Sequence, residues 1–284
     1  MSAQSLTVHR HQNPVPVVLK YVLAVILSLI ILVPLVTAVL GGFKSNADLQ
    51  SNSFGLPRVF ILSNYTDVLS SLTFWQELLN STTVMLATAA GVVVLAAMPA
   101  FVFSRVEFRG RGLLFNFFTL GLLFPLTVAI LPLYVTLRSL GMVDTLWGII
   151  VPQVAFGLPG SILILRNFFA NVPRELEEAA AIDGVTMLGF FWRILLPLVR
   201  PALAAVIVLT MVASWNAFFL PLLVLNNAAL WTLPLGIMQF QGQFGSDWSK
   251  ILAFVSLALI PTVVFYLLAE KQIVAGLTAG AVKG

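Results

Sequence analysis

The residues that could do chemistry gather in one charge-rich stretch, Pro173–Pro201 (PRELEEAAAIDGVTMLGFFWRILLPLVRP), with long apolar runs on either side. Glu175, Glu177 and Glu178 sit where the positive end of a helix dipole favours carboxylates. Asn171 can cap that helix, and Pro173 fits its first turn, where no amide hydrogen bond is needed. Gly184 is the natural stop, because glycine tolerates the left-handed conformation just past a C-cap. A second helix is expected from about Met187 to Leu196, ended by Pro197. The product is two short helices at an angle, parallel to a membrane surface. The first carries Leu176, Ala179 and Ala180 at helical spacing beside Glu178. Alanines leave a shallow dent that a protruding partner side chain fills well. An interfacial helix resting on headgroups favours basic and bulky residues instead. The glutamates and alanines lean towards docking, with a resting helix as the alternative.

The remaining candidates are uncharged. Asn80, Ser81, Gln153, Trp215 and Asn216 lie within or at the ends of apolar runs, and Gln239, Gln241 and Gln243 lie just beyond them. Amides beside indole rings suit a neutral, hydroxyl-rich solute such as a sugar. Amides between helices also serve as packing glue, so both readings stand for Gln153 and Asn216. There is no Gly-Lys dipeptide, hence no phosphate-binding loop, and His9 and His11 lie in the N-terminal tail, away from any zinc-binding helix. Cysteine is absent, which excludes disulfides and thiolate metal sites. No acidic or basic residue falls centrally in a span, which counts against an ion-coupled carrier and against an intramembrane enzyme.

The elements that carry these residues are membrane helices. With 60% hydrophobic and 9% charged residues over 284, the chain has too little polar surface for a soluble globule. A span needs about 20 apolar residues. Six runs qualify: Tyr21–Phe43, Leu78–Ser104, Leu113–Leu137, Thr145–Leu165, Ala202–Leu225 and Ile251–Ala269. The expected fold class is therefore all-α integral membrane, with a tail over 1–20, a six-span domain over 21–270 that includes the loop 171–200, and a tail over 271–284. The first run is longer than a signal core, so it reads as a retained span. Lys44–Gln76 reads as an external loop with a short helix, and Asn226–Gly245, uncharged but rich in amides, as an external, re-entrant-like loop. Arg10, Lys20, Arg105, Arg109, Arg111, Arg166, Arg174, Arg193, Arg200, Lys271 and Lys283 fall on one side, and Lys44, Arg58, Arg138 and Lys250 on the other. That bias puts both termini and the acidic loop in the cytoplasm. Arg105–Arg111 reads as an inside-positive anchor and nothing more. Every span carries proline, so kinked helices enclosing a cavity are expected.

Glu178-Ala179-Ala180, Gly184 after three more residues, and Ile194-x-Leu196-Pro197 after nine more resemble the EAA signature of permease subunits of binding-protein-dependent ABC importers. Val185 is the one departure, at a place where small residues are common. The resemblance implies the type I importer permease fold, and it implies that Glu178, Ala179, Ala180, Asp183 and Gly184 dock in a cleft of a cytoplasmic ATPase. Gly276–Gly284 and Ser214–Pro221 are similar to the smaller permease of the maltose-type carbohydrate group. That similarity implies ATPase contact for Thr278, Gly280, Lys283 and Gly284, although a frayed end is the reading from position alone. It further implies a bacterial or archaeal inner-membrane location, while Gln153, Trp215 and Asn216 stand as solute-path candidates on their residue types alone. The implied partners are a second related permease, two ATPase copies that bind ATP and magnesium, an extracytoplasmic solute-binding protein and membrane lipid. Neither nucleic acid nor a cofactor on this chain is expected.

Overall fold

The computed structural model describes residues 14–242 and 245–281. Helices run as α1 (Pro14–Gly42), α2 (Asn46–Ser51), α3 (Ser63–Ser70), α4 (Leu72–Arg105), α5 (Arg111–Leu120), α6 (Leu126–Ser139) and α7 (Trp147–Asn171). They continue as α8 (Glu175–Ile182), α9 (Met187–Phe190), α10 (Leu196–Leu198), α11 (Arg200–Trp215), α12 (Phe219–Val224), α13 (Leu233–Gly236) and α14 (Trp248–Ala281). A small antiparallel hairpin pairs β1 (Gln241–Gly242) with β2 (Gly245–Ser246). Among the described residues four helices are long and apolar enough to cross a membrane, in α1, α4, α7 and α14. Two bent pairs, Arg111–Leu123 with Leu126–Ser139 (97°) and Met187–Leu198 with Arg200–Trp215 (75°), bring the number to six when each counts as one span.

The chain divides into two units. In the one formed by the residues up to Tyr65 with Asp247–Ser256, α1 exposes apolar side chains all round, as a helix facing lipid or another apolar helix does. The segment after it is folded more fully than a loop with one short helix. Ser45 caps α2 by accepting the Asp48 amide, the buried Lys44 ammonium donates to the Asn52 carbonyl at 2.5 Å, and Asn64 Nδ2 donates to the carbonyls of Gly42 and Lys44, both at 2.9 Å.

In the other unit α4 and α7 pack along each other, with α11 across both. The seam is made of small and branched residues: Val92, Ala96 and Ala100 of α4 face Ile149, Ile162 and Leu165 of α7, with Ala202 and Val206 from α11. Glycine sets the spacing. A Cβ on Gly91 would lie 2.9 Å from Val154, and one on Gly157 2.9 Å from Val92, so the two backbones approach as closely as small-residue seams allow.

Several boundaries differ from the sequence expectations. Prolines 34, 99, 132, 152, 159 and 261 lie inside continuous helices. The span Leu113–Leu137 instead breaks at Phe124, which is forced into extended geometry (ψ 106°) by the ring of Pro125. Ala202–Leu225 breaks after Trp215, with α12 following separately. The second elbow helix continues through a π-helical turn, Phe191–Leu195, past Pro197, and breaks only at Val199. Of the segment expected as an external loop, residues 226–242 fold back on α4 and bury Leu233 and Leu235. Asn80 holds it there, donating to the carbonyls of Ala229 and Trp231 at 2.9 Å each, while Ser81 Oγ accepts the Leu233 amide at 2.8 Å. Both residues are therefore glue. Because α4 begins six residues earlier than the predicted span, Glu77 lies inside the helix, 0% exposed, with neither carboxyl oxygen partnered among the described residues.

Candidate functional site

The acidic stretch forms an elbow whose stop is built as glycine chemistry dictates. Gly184 has φ +77°, its amide bonds the Ala181 carbonyl at 3.1 Å, and the Val185 amide reaches back to the Ala180 carbonyl at 2.8 Å. That pair of bonds is a Schellman motif, which satisfies the last carbonyls of α8. Thr186 then opens α9 by accepting the Gly189 amide at 3.1 Å. The start differs from expectation: Asn171 closes α7, Pro173 lies between the helices, and Arg174 occupies the N-cap position of α8 without capping it through its side chain, which bonds Glu107 at 3.0 Å instead. The fastening there comes from Arg105, the last residue of α4. Its Nη2 donates to the carbonyls of Phe169 (2.5 Å) and Val172 (2.6 Å), and its Nη1 lies 3.6 Å from Glu177 Oε2. One guanidinium thus ties α4 to the end of α7 and to the first turn of α8. Arg111 and Arg166 reinforce the same corner through the Phe103 carbonyl, at 2.6 and 3.3 Å.

Held this way, α8 turns Ala180 into the core and presents Leu176, Glu178, Ala179, Ile182 and Asp183 outward. Ile182 is 87% exposed. Further along the bundle, α4, α6, α7 and α11 line an open cavity of about 370 Å³. Gln153 stands in its wall, its Oε1 accepting the hydroxyls of Ser214 (2.6 Å) and Thr88 (3.2 Å).

Residues 92–272 match the family described as binding-protein-dependent transport system inner membrane component. The chain belongs to this permease family. It is 30% identical over 264 residues to the diacetylchitobiose uptake system permease protein of Streptomyces coelicolor, covering 92% of this chain and 87% of that one. It is 36% identical over 231 residues to the trehalose transport system permease protein of Mycobacterium tuberculosis, covering 81% and 84%. A chain of a bacterial ABC transporter that imports the acidic polysaccharide alginate shares the fold, with TM-score 0.80, 22% identity, and 95% and 99% coverage. The protein is thus a mostly helical, multi-pass membrane permease with the type I importer architecture.

Within this permease, four of the five residues picked from the EAA stretch, Glu178, Ala179, Asp183 and Gly184, are exposed together, and Ala180 is the buried fifth. Of the three picked for a solute path, only Gln153 lines the cavity. Trp215 is buried edge-on against Phe265, ring centroids 5.6 Å apart, and Asn216 is exposed and donates to the Val212 carbonyl of its own helix at 2.8 Å. Thr278 and Gly280 lie in the last turns of α14, which passes residue 271 unbroken, while Lys283 and Gly284 fall outside the described residues. Sequence reasoning missed Ile182, Thr88, Ser214 and Arg105. Only Ile182 left a local signal, an isoleucine between acidic residues on a soluble-side helix.

Proposed function

We propose that this permease forms half of the translocation path of an ATP-driven importer of sugars or oligosaccharides, and that α8 is the lever by which a cytoplasmic ATPase moves it. The observation that carries the reading is the elbow itself: an exposed apolar and acidic face, stopped by Gly184 and fastened to two long helices by Arg105. A lever needs a rigid mount. Two ATPase copies would bind ATP and magnesium, and a second related permease would complete the path. A solute-binding protein would deliver from outside, and Thr278, Gly280, Lys283 and Gly284 would reach the ATPase pair. ATP binding closes that pair, α8 moves with it, and the bent spans tilt to open outward. Both termini are cytoplasmic in this reading, in line with the placement of lysine and arginine. The sugar class is supported by relatives named for diacetylchitobiose and trehalose uptake.

The test uses the absence of native cysteine. A single cysteine in place of Ile182, in the complex assembled in membranes, should crosslink to the ATPase subunit, and Ile182→Asp should abolish ATP-driven uptake while the permease still inserts. Crosslinks to lipid-side probes alone, with uptake intact in Ile182→Asp, would overturn the lever.

A further inference from the structure

The cavity of about 370 Å³ lies within the range of about 300–1,000 Å³ typical of small-molecule sites. No Asp, Glu, Lys or Arg is among its lining residues. Leu122, Leu126, Ile164 and Leu209 make apolar walls, Phe156 offers a flat face, and the polar niche is Gln153 with Thr88 and Ser214. The amide of Gln153 is satisfied at one end only. Its Oε1 takes both hydroxyls, whereas Nε2, closed off from solvent in this conformation, has no acceptor among the described residues. Exchanging the amide's oxygen and nitrogen does not remove the deficit, because hydroxyls can donate or accept and the other end would then be the one left over. Packing glue accounts for the bonded end but not for the free one, since a buried amide donor without an acceptor is destabilising.

We infer that this niche is a solute subsite belonging to this subunit, in which the free end of the Gln153 amide bonds one ring hydroxyl of a neutral, polyhydroxylated solute. The inference rests on the transport reading above and specifies what this chain itself touches. For this contact the enclosed Nε2 must swing towards the arriving oxygen about an Oε1 that Ser214 and Thr88 still hold, with Phe156 offering the ring a flat face. This wall offers a uronate ring no cation, so its carboxylate would lose water here without compensation from this subunit. A site built to bond a hydroxyl also discriminates strongly against the analogue lacking it.

The experiment reconstitutes the whole complex, with permease partner, ATPase and binding protein, in proteoliposomes. It follows ATP-dependent uptake of labelled trehalose, diacetylchitobiose and maltotriose, of single-deoxy analogues of whichever is carried, and of a disaccharide uronate. The wild type should carry at least one neutral sugar, discriminate about tenfold against one of its deoxy analogues, the factor expected for one hydrogen bond, and refuse the uronate. Gln153→Met should raise KM about tenfold with ATP hydrolysis per cycle unchanged, and should remove the deoxy discrimination. Wild-type KM and undiminished discrimination in Gln153→Met would overturn the subsite while leaving the importer intact. If that variant does not assemble, Ser214→Ala and Thr88→Val read the same discrimination, and no loss in either overturns it equally. Failure of the wild type on all the sugars defeats the sugar reading first, a result the Ile182 crosslink separates from failure of the lever.

Discussion

Replacing Arg105 tests whether the elbow works as a mounted part. The side chain is 2% exposed and occupies two carbonyls and a carboxylate at once. Arg105→Ala leaves the Phe169 and Val172 carbonyls without their donor, at about 1–3 kcal/mol for each buried group that finds no substitute. The Glu177 arm adds little, since that side chain is 29% exposed. Lysine should not rescue the loss, because one ammonium cannot reproduce a planar fork. A lowered Tm of the purified complex together with more ATP hydrolysed per solute carried is the expected pair of results. A lowered Tm with normal coupling would make Arg105 a structural residue only. Asp144 gives a pH test at the far end of the same unit. The backbone amides of Asn227 (2.9 Å) and Asn226 (2.5 Å) bond its carboxylate and hold it below the usual carboxylate range. With the folded pKa below the unfolded value, this tie is fully present above about pH 4 and is lost as pH falls through the folded pKa. Proteolytic nicking at Asn226–Asn227 should therefore rise only in that acid window. Asp144→Asn, which tolerates the positive φ of 57° at this site, should flatten the pH profile.

At the scale of the element, the turn between α8 and α9 depends on a backbone that only some residues accept. A Cβ on Gly184 would meet nothing within 4 Å, so space is no obstacle, but φ +77° costs a branched L-residue about 1–2 kcal/mol or more. Gly184→Val should uncouple uptake from ATP hydrolysis with insertion intact, and Gly184→Asn should largely preserve coupling. Equal loss in both would point to side-chain bulk at the docking surface rather than to turn geometry. This stop was legible in the sequence because glycine's preference is local. The start was not. Asn171 and Pro173 are genuine local signals, but the arrangement there is decided by Arg105, bonded to carbonyls 64 and 67 residues away, which periodicity cannot reveal. The same divide runs through the cavity. Gln153 stood out as an amide in an apolar run, while Thr88 and Ser214 are single hydroxyls of a kind found in most membrane helices, and only the packing of α4, α7 and α11 brings them together. The span positions were visible as apolar runs, and the 97° break at Phe124–Pro125 was not, since the prolines inside the continuous helices carry the same local signal.

For the whole molecule the question is which side of the membrane each end of the bundle faces. In the proposed reading six crossings would place both termini on one side, and the lysine and arginine bias would make that side the cytoplasm. The elbow and the loop tied down by Asp144 should then lie on opposite faces. Because the chain has no cysteine, single cysteines at Ser53, Asp183 and Asn227, each exposed, report their own position without background. An impermeant maleimide applied to intact cells should label the Ser53 and Asn227 positions and leave Asp183 untouched until the membrane is opened. In opened membranes the Asp183 position should stay protected while the ATPase is bound and become reactive once it is stripped off. The reverse labelling pattern would invert the orientation without touching the fold, since helix packing is indifferent to which face is inside. Equal labelling at Asp183 with and without the ATPase would leave the orientation standing and remove the elbow from the docking interface, because a residue two positions beyond Ala181 on so short a helix cannot stay open to solvent if α8 lies in a protein cleft.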